Sequence, residues 1–226
     1  NRCYCPWYDW CGVYGYYYNY CIPTLLQITN QMKKTLEDNN YIVIRNFISK
    51  DRALNLFLEY ANYCKNNDVE GDSQCPNCFG TYDCIPFLEL LCEKTPVISH
   101  VIEETVLPTF TYTRLHKNGS ILKKHSDREA CEITLTLHLH GDQSWPIWIE
   151  TPSGEEVSVD LKSGDAMLYL GRKAPHWRDE YGGQHYTQVS LHYVRSRGDF
   201  YVDYFDKLNP DVIHQNKRKY EGMNMV

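Results

Sequence analysis

From Pro108 onward the chain changes character: six short segments of strand composition, FTYTRL, EITLTLHL, PIWIE, EEVSVDL, AMLYL and TQVSLHYV, follow one another closely. KNGS, HGDQSW, TPSG, KSGD and YGGQ separate them, and such clusters of Gly, Asn, Asp, Ser and Pro favour chain reversal. Strands this short and this closely spaced predict an antiparallel sandwich or barrel. Upstream the pattern is helical. PTLLQITNQMKKTLEDNN places Leu25, Ile28, Met32 and Leu36 on one face, and DRALNLFLEYANYC carries a stripe of Leu54, Phe57, Leu58 and Ala61 behind Ser49 as N-cap. A third helical pattern surrounds PFLELLCEKTPVISHVIEETVL, and YIVIRNF at 41–47 reads as a strand. Helices precede the strands rather than alternating with them. The fold class expected is therefore α+β, mainly β, with N-terminal helices supporting a barrel-like core.

The chain has 226 residues, enough for one sizeable domain, and a net charge of −6 with a single basic run, KRK at 217–219. That charge gives no support for nucleic acid as the main partner, and no apolar stretch is long enough to predict a membrane span. Three parts are expected: a Cys/Tyr-rich arm at 1–23, the domain at 24–198 and a tail at 199–226. Ten cysteines leave the compartment open. Cys3, Cys5, Cys11 and Cys21 lie in the arm, and a disulfide or close sulfur pair between one of them and the Cys64–Cys92 region is expected, with the arm against the helical layer. The Cys-rich stretch NNDVEGDSQCPNCFGTYD reads as a loop; within it CPNC at 75–78 has zinc-ligand spacing, but Cys84 and Cys92 do not repeat it.

The chemistry begins with KKHSDREACEITLTLHL, where His125 and Asp127 are two residues apart before an alternating run. In a strand such a pair points to the same side, so an imidazole and a carboxylate can converge on one metal. A third ligand must come from elsewhere. His138 and His140 share the face of Thr134 and Thr136, His192 sits within a strand, and His214 lies in the tail. His176 follows a turn, an apolar strand and a Gly-containing break, KSGDAMLYLGRKAP, which would present it at a strand end. Two imidazoles and one carboxylate form the facial triad that leaves adjacent positions open on Fe(II).

The longer text around these residues resembles the Fe(II)/2-oxoglutarate-dependent oxygenases, especially their prolyl-4-hydroxylase-like branch. The matching features occur in order: an aromatic/Arg strand, the turn glycine Gly119, a hydrophobic residue at 122, His125-x-Asp127, an alternating strand, GD before a hydrophobic strand, and His176. YIVIRNFISKDRALNLFLEYA is similar to the opening strand and helix of that domain, so the resemblance covers roughly residues 38 to 196. It implies a double-stranded β-helix (jelly roll) with Fe(II) on His125, Asp127 and His176. It also implies 2-oxoglutarate as cosubstrate and O2-dependent hydroxylation of an unactivated C–H bond, with succinate as coproduct. Retention of Asp127 favours hydroxylation over halide transfer.

Two positions depart from the family. Where Arg or Lys usually anchors the far carboxylate of 2-oxoglutarate, this chain has Gln188-Val189-Ser190, and an assisting Tyr is replaced by His116. Gln188 and Ser190 are expected to contact the cosubstrate, with a cation drawn from Arg178, Lys124 or Arg114. The resemblance favours a peptide, free amino acid (proline included) or other small-molecule substrate, and Tyr181, Trp145 and Trp148 either line an entry groove or belong to the core. Two other readings stay open. One is a jelly-roll metal enzyme that does not use 2-oxoglutarate, favoured by Gln188. The other is a non-catalytic binding domain acting through the arm.

Overall fold

In the computed structural model, residues 31–207 and 209 are described. Helix α1 (residues 31–39) leads into β1 (Tyr41–Ile44), α2 (Lys50–Asn66), β2 (Cys78–Tyr82) and α3 (Ile85–Ile102). Eight strands follow: β3 (Val106–Lys117), β4 (Leu122–His125), β5 (Ile133–Gly141), β6 (Ile147–Glu150), β7 (Glu156–Val159), β8 (Ala166–Tyr169), β9 (His176–Arg178) and β10 (His185–Arg195).

These eight pair as a folded ribbon. β3 lies against β10, β4 against β9, β5 against β8 and β6 against β7, every pair antiparallel. The β5–β10 and β6–β9 pairings then close two sheets, ordered β1-β8-β5-β10-β3-β2 and β4-β9-β6-β7. This is the double-stranded β-helix. Two of its strands, β4 and β9, are too short to show periodicity and had no sequence signal of their own beyond the histidine each carries.

Alternation along the central strands assigns their faces. Ile133, Leu135, Leu137 and Leu139 of β5 join Val189, Leu191 and Tyr193 of β10 in one core with Leu56 of α2 and Phe87, Leu90 and Leu91 of α3. Their neighbours Thr134, Thr136 and His138 point the other way, into the barrel. A second apolar cluster, including Ile147, Ile149, Val159 and Met167, fills part of the barrel between the sheets. The remaining interior is polar, and it faces β4 and β9.

Two expectations are corrected here, and one left open is decided. Helix α2 is capped by Ser49, whose hydroxyl accepts from Arg52 N at 3.2 Å, but it buries Ala53, Leu56 and Tyr60 while Leu54 and Leu58 are exposed. Both stripes have helical spacing. Tyr60 decides between them, because its hydroxyl reaches the Thr113 and Phe79 carbonyls at 3.0 and 3.1 Å. The Cys-rich segment expected as loop contains edge strand β2, paired with β3 from Cys78↔His116 to Tyr82↔Tyr112. Trp145 and Tyr181 are core, clustered with Tyr186, and only Trp148 is part-exposed.

The six described cysteines are all free thiols, and the four in the arm lie outside the described residues, as does any bridge from them. Beyond the barrel, residues of the expected tail stay packed as far as Asp206, which pairs with Arg128 at 2.6 Å. No helix among the described residues is long and apolar enough to cross a membrane.

Because Leu135 is fully buried between sheet and helices, Leu135→Ala is expected to cost about 2–5 kcal/mol of unfolding free energy. Leu58→Ala, on the exposed face of α2, should change it by less than about 0.5 kcal/mol. Urea unfolding of the two variants checks the face assignment.

Candidate active site

β4 ends on His125 and β9 begins on His176, and the two are Cα partners across that ladder. Their rings lie 4.4 Å apart between centroids. Asp127 sits just beyond β4, where its N–H donates to the Gly171 carbonyl at 2.9 Å. One carboxylate oxygen, Oδ2, accepts from Thr134 Oγ1 of β5 at 2.8 Å. The other, Oδ1, faces His125 Nε2 at 3.6 Å and His176 Nε2 at 3.5 Å. Ligands at about 2.1 Å from a common ion, set at right angles, would be about 3 Å apart. The two distances to Asp127 Oδ1 exceed that by about half an ångström, and all three ligand atoms lie within 4.8 Å of one another.

The histidines are also in the right tautomer. His125 Nδ1 meets the Lys123 carbonyl at 2.8 Å and His176 Nδ1 meets the Ala174 carbonyl at 2.9 Å. A carbonyl only accepts, so each Nδ1 carries the proton and each Nε2 lone pair turns toward Asp127. Gly171 is needed for this packing. A Cβ there would stand 2.3 Å from Asp127 Oδ2 and 2.5 Å from the Cys131 carbonyl.

Burial opposes charge on Asp127, yet His176, His125 and the Thr134 hydroxyl together hold its carboxyl below the usual carboxylate range. Burial lowers the pKa of His176. On His125 burial acts the same way, but the neighbouring Asp127 carboxylate and the Lys123 carbonyl outweigh it and raise the value. An ionised carboxylate beside neutral imidazoles is the metal-binding state.

The three residues open onto a cavity of about 410 Å³, which Gln188, Ser190, Thr136 and Tyr169 also line. Its outer wall is aromatic and basic: Tyr82 packs on Tyr112 at 4.5 Å, Arg114 lies over Tyr112 at 4.6 Å and Arg128 over Phe110 at 4.5 Å. The rim also includes Asp72, Ser73 and Gln74. Sequence reasoning missed this wall. The signal was present in β3, where Phe110, Tyr112, Arg114 and His116 alternate onto one face.

The candidate cations separate clearly. Lys124 is on the outside, paired with Glu150 and Glu156 at 2.7 and 2.8 Å. Arg114 is neutralised by Asp72 at 2.8 Å. Arg178 is 1% exposed, not a surface residue, and forms no ion pair with a described carboxylate. It donates to the Trp145 carbonyl and, at 2.7 Å, to Gln188 Oε1, while its Nε has no partner. His116 is fully buried; its Nδ1 contacts Cys75 Sγ at 3.3 Å and its Nε2 has no partner.

No family model and no curated protein matches the sequence. Solved structures do. A prolyl-4-hydroxylase from Pseudomonas putida has a TM-score of 0.62 at 13% identity, over 75% of this chain and 100% of its own. A prolyl hydroxylase from Trichoplax adhaerens, solved with a hypoxia inducible factor peptide fragment, has a TM-score of 0.65 at 12% identity, over 80% and 95%. HygX from Streptomyces hygroscopicus, with nickel and 2-oxoglutarate bound, has a TM-score of 0.59 at 12% identity, over 74% and 87%. At these identities the likeness establishes the fold, and it agrees with the jelly roll that the sequence implied.

The barrel interior carries a cost in acid. Burial pushes the pKa of His138 and of His192 down to about 4. In the unfolded chain a histidine takes up its proton near pH 6.5, so between about 6.5 and 4 the unfolded state binds more protons and stability falls with pH. The loss is expected to be on the order of 3 kcal/mol per histidine over that window. Urea midpoints taken at about pH 7 and about pH 4.5 should differ accordingly, and His138→Gln should reduce the difference.

Proposed function

We propose that the protein is an Fe(II)- and 2-oxoglutarate-dependent oxygenase that hydroxylates an unactivated C–H bond of a peptidyl or free amino acid, with proline a favoured side chain. The observation that carries this reading is the convergence of two Nε2 lone pairs on one oxygen of Asp127, at 3.5 and 3.6 Å, inside a polar cavity. His125, Asp127 and His176 would hold the iron on one face, leaving adjacent positions toward the cavity. Bound there, iron with 2-oxoglutarate would supply the oxidising power, one atom of O2 ending in succinate as CO2 is lost and the other in the hydroxylated substrate.

The protein's part is orientation. Thr134 holds Asp127 Oδ2, so the carboxylate offers a single fixed oxygen. The backbone carbonyls of Lys123 and Ala174 fix the ring planes of the two histidines. Such partners are worth roughly 10–100-fold in metal affinity or activity.

A buried guanidinium with no acidic partner supports an anion site deeper in the barrel. Arg178 donates to Gln188 Oε1, which leaves the Gln188 amide hydrogens facing the cavity together with the Ser190 hydroxyl. The far carboxylate of 2-oxoglutarate would meet Gln188 and Ser190 directly and gain the Arg178 charge behind them. On this reading the cation missing at 188 on β10 is supplied by Arg178 on β9, in the other sheet. The aromatic outer wall, with Tyr82, Tyr112 and Phe110 beside the ion-paired Arg114 and Arg128, suits a peptide or amino acid bearing apolar and hydrogen-bonding groups.

Succinate release from 2-oxoglutarate with Fe(II), followed across peptide and amino-acid panels, tests the activity. His125→Ala, Asp127→Ala and His176→Ala should each abolish it while the chain stays folded. Arg178→Ala is expected to raise the KM for 2-oxoglutarate by about 30-fold or more, the loss of a charged hydrogen bond. Gln188→Ala should raise it only about 5-fold. Product formation with iron but without 2-oxoglutarate would point instead to the cosubstrate-free enzyme.

A further inference from the structure

A second cluster of metal-ligating side chains lies apart from the triad. Cys75, Cys78 and His116 bring their ligand atoms within 4.8 Å of one another, and all three are buried. Cys78 is the Cα partner of His116 across β2 and β3, a pairing that puts both side chains on the same side of the sheet. Cys75 arrives through a tight turn. Asp72 Oδ1 accepts from Gln74 N at 2.8 Å and from Cys75 N at 2.9 Å, and the chain there is so close that a Cβ on Gly71 would stand 2.2 Å from the Pro76 carbonyl oxygen.

The donor set selects the ion. Two sulfurs and one imidazole suit a borderline-soft metal such as zinc and disfavour Mg2+ or Ca2+. Bond lengths of about 2.3 Å to sulfur and 2.0–2.1 Å to nitrogen, at tetrahedral angles, put those atoms about 3.5 Å apart. Cys75 Sγ and His116 Nδ1 are 3.3 Å apart.

Cys75 Sγ lies against His116 Nδ1 at 3.3 Å, and Cys78 Sγ lies 3.0 Å from the Cys75 carbonyl, so both sulfurs face the same buried spot. A thiolate is the form that ligates metal.

We infer that Cys75, Cys78 and His116 hold a structural zinc ion that fastens the segment at 66–77 to β3 and so fixes one rim of the cavity. A water molecule in the fourth position would complete the tetrahedron. Asp72, Ser73 and Gln74 belong to this segment and line the cavity. Asp72 also holds Arg114 at 2.8 Å and Tyr112 at 2.7 Å, so the clasp extends to the aromatic wall. Zinc on Nδ1 obliges the proton of His116 to sit on Nε2, the buried atom that has no partner in the protein. That N–H then faces the interior beside Trp145, whose ring also carries Arg178.

The site can be measured independently of the iron triad. In full-length protein carrying His125→Ala and Asp127→Ala, metal analysis should find about one zinc per chain. Adding Cys75→Ser or Cys78→Ser should reduce that to below about 0.1. Should those serine variants fail to fold, cobalt substitution of the triad-less protein decides, because tetrahedral Co(II) bound by sulfur gives a thiolate-to-metal charge-transfer band. Chelation should also speed hydrogen exchange across 66–77. Absence of zinc from the triad-less protein, zinc undiminished in the serine variants, a cobalt spectrum without the sulfur band, or a Cys75–Cys78 disulfide would each overturn the inference.

Discussion

The four-residue ladder between β4 and β9 is the contact on which the candidate site depends. It is a short pairing with a register shift between Leu122 and His125, and its last partners are His125 and His176. Nothing in so small a ladder could hold two imidazoles in place by itself. The surrounding jelly roll does this. β9 is also bonded to β6, and β5, from the other sheet, carries Thr134 to Asp127. The two sheets therefore meet at one carboxylate, and the geometry of the triad is a property of the closed barrel.

Much of this was legible in the sequence, for identifiable reasons. EITLTLHL alternates because one face packs on helices and the other lines a polar barrel, and both environments leave a mark on residue type. His125 and Asp127 were paired on the period of a strand, but β4 ends at His125 and Asp127 is placed by its bonds to Gly171 and Thr134; His176 needed the ordered text around it. Strands β4 and β9 were invisible as strands because three or four residues cannot display a period. The stripe of α2 was misread because two apolar faces compete there, and the choice rests on Tyr60 reaching carbonyls at 3.0 and 3.1 Å in β3 and β2. That is tertiary information. His116 was read only as a replaced Tyr, and its neighbour Cys75 became evident only when β2 was found beside β3.

The barrel interior has an unusual balance of charge. Asp127 is the acid of the triad, Arg114 and Arg128 have carboxylate partners, and Arg178 stands buried with carbonyl oxygens alone. Among the described residues, the buried atoms without a partner include His116 Nε2, Thr136 Oγ1, His138 Nε2, Arg178 Nε and Tyr186 Oη. Buried polar groups left without partners are costly, and a cluster of them inside a cavity-bearing barrel is explained by a polar ligand. An anion of two carboxylates bound at the metal and at Arg178 would satisfy both ends of the account.

The most direct measurement is anaerobic titration of the Fe(II)-loaded protein with 2-oxoglutarate, followed by visible absorption. Bidentate binding of the oxo acid to iron at His125, Asp127 and His176 predicts a metal-to-ligand charge-transfer band that saturates at about one equivalent. The band should vanish in His176→Ala. Iron bound at the triad with no band at any 2-oxoglutarate concentration would contradict the account.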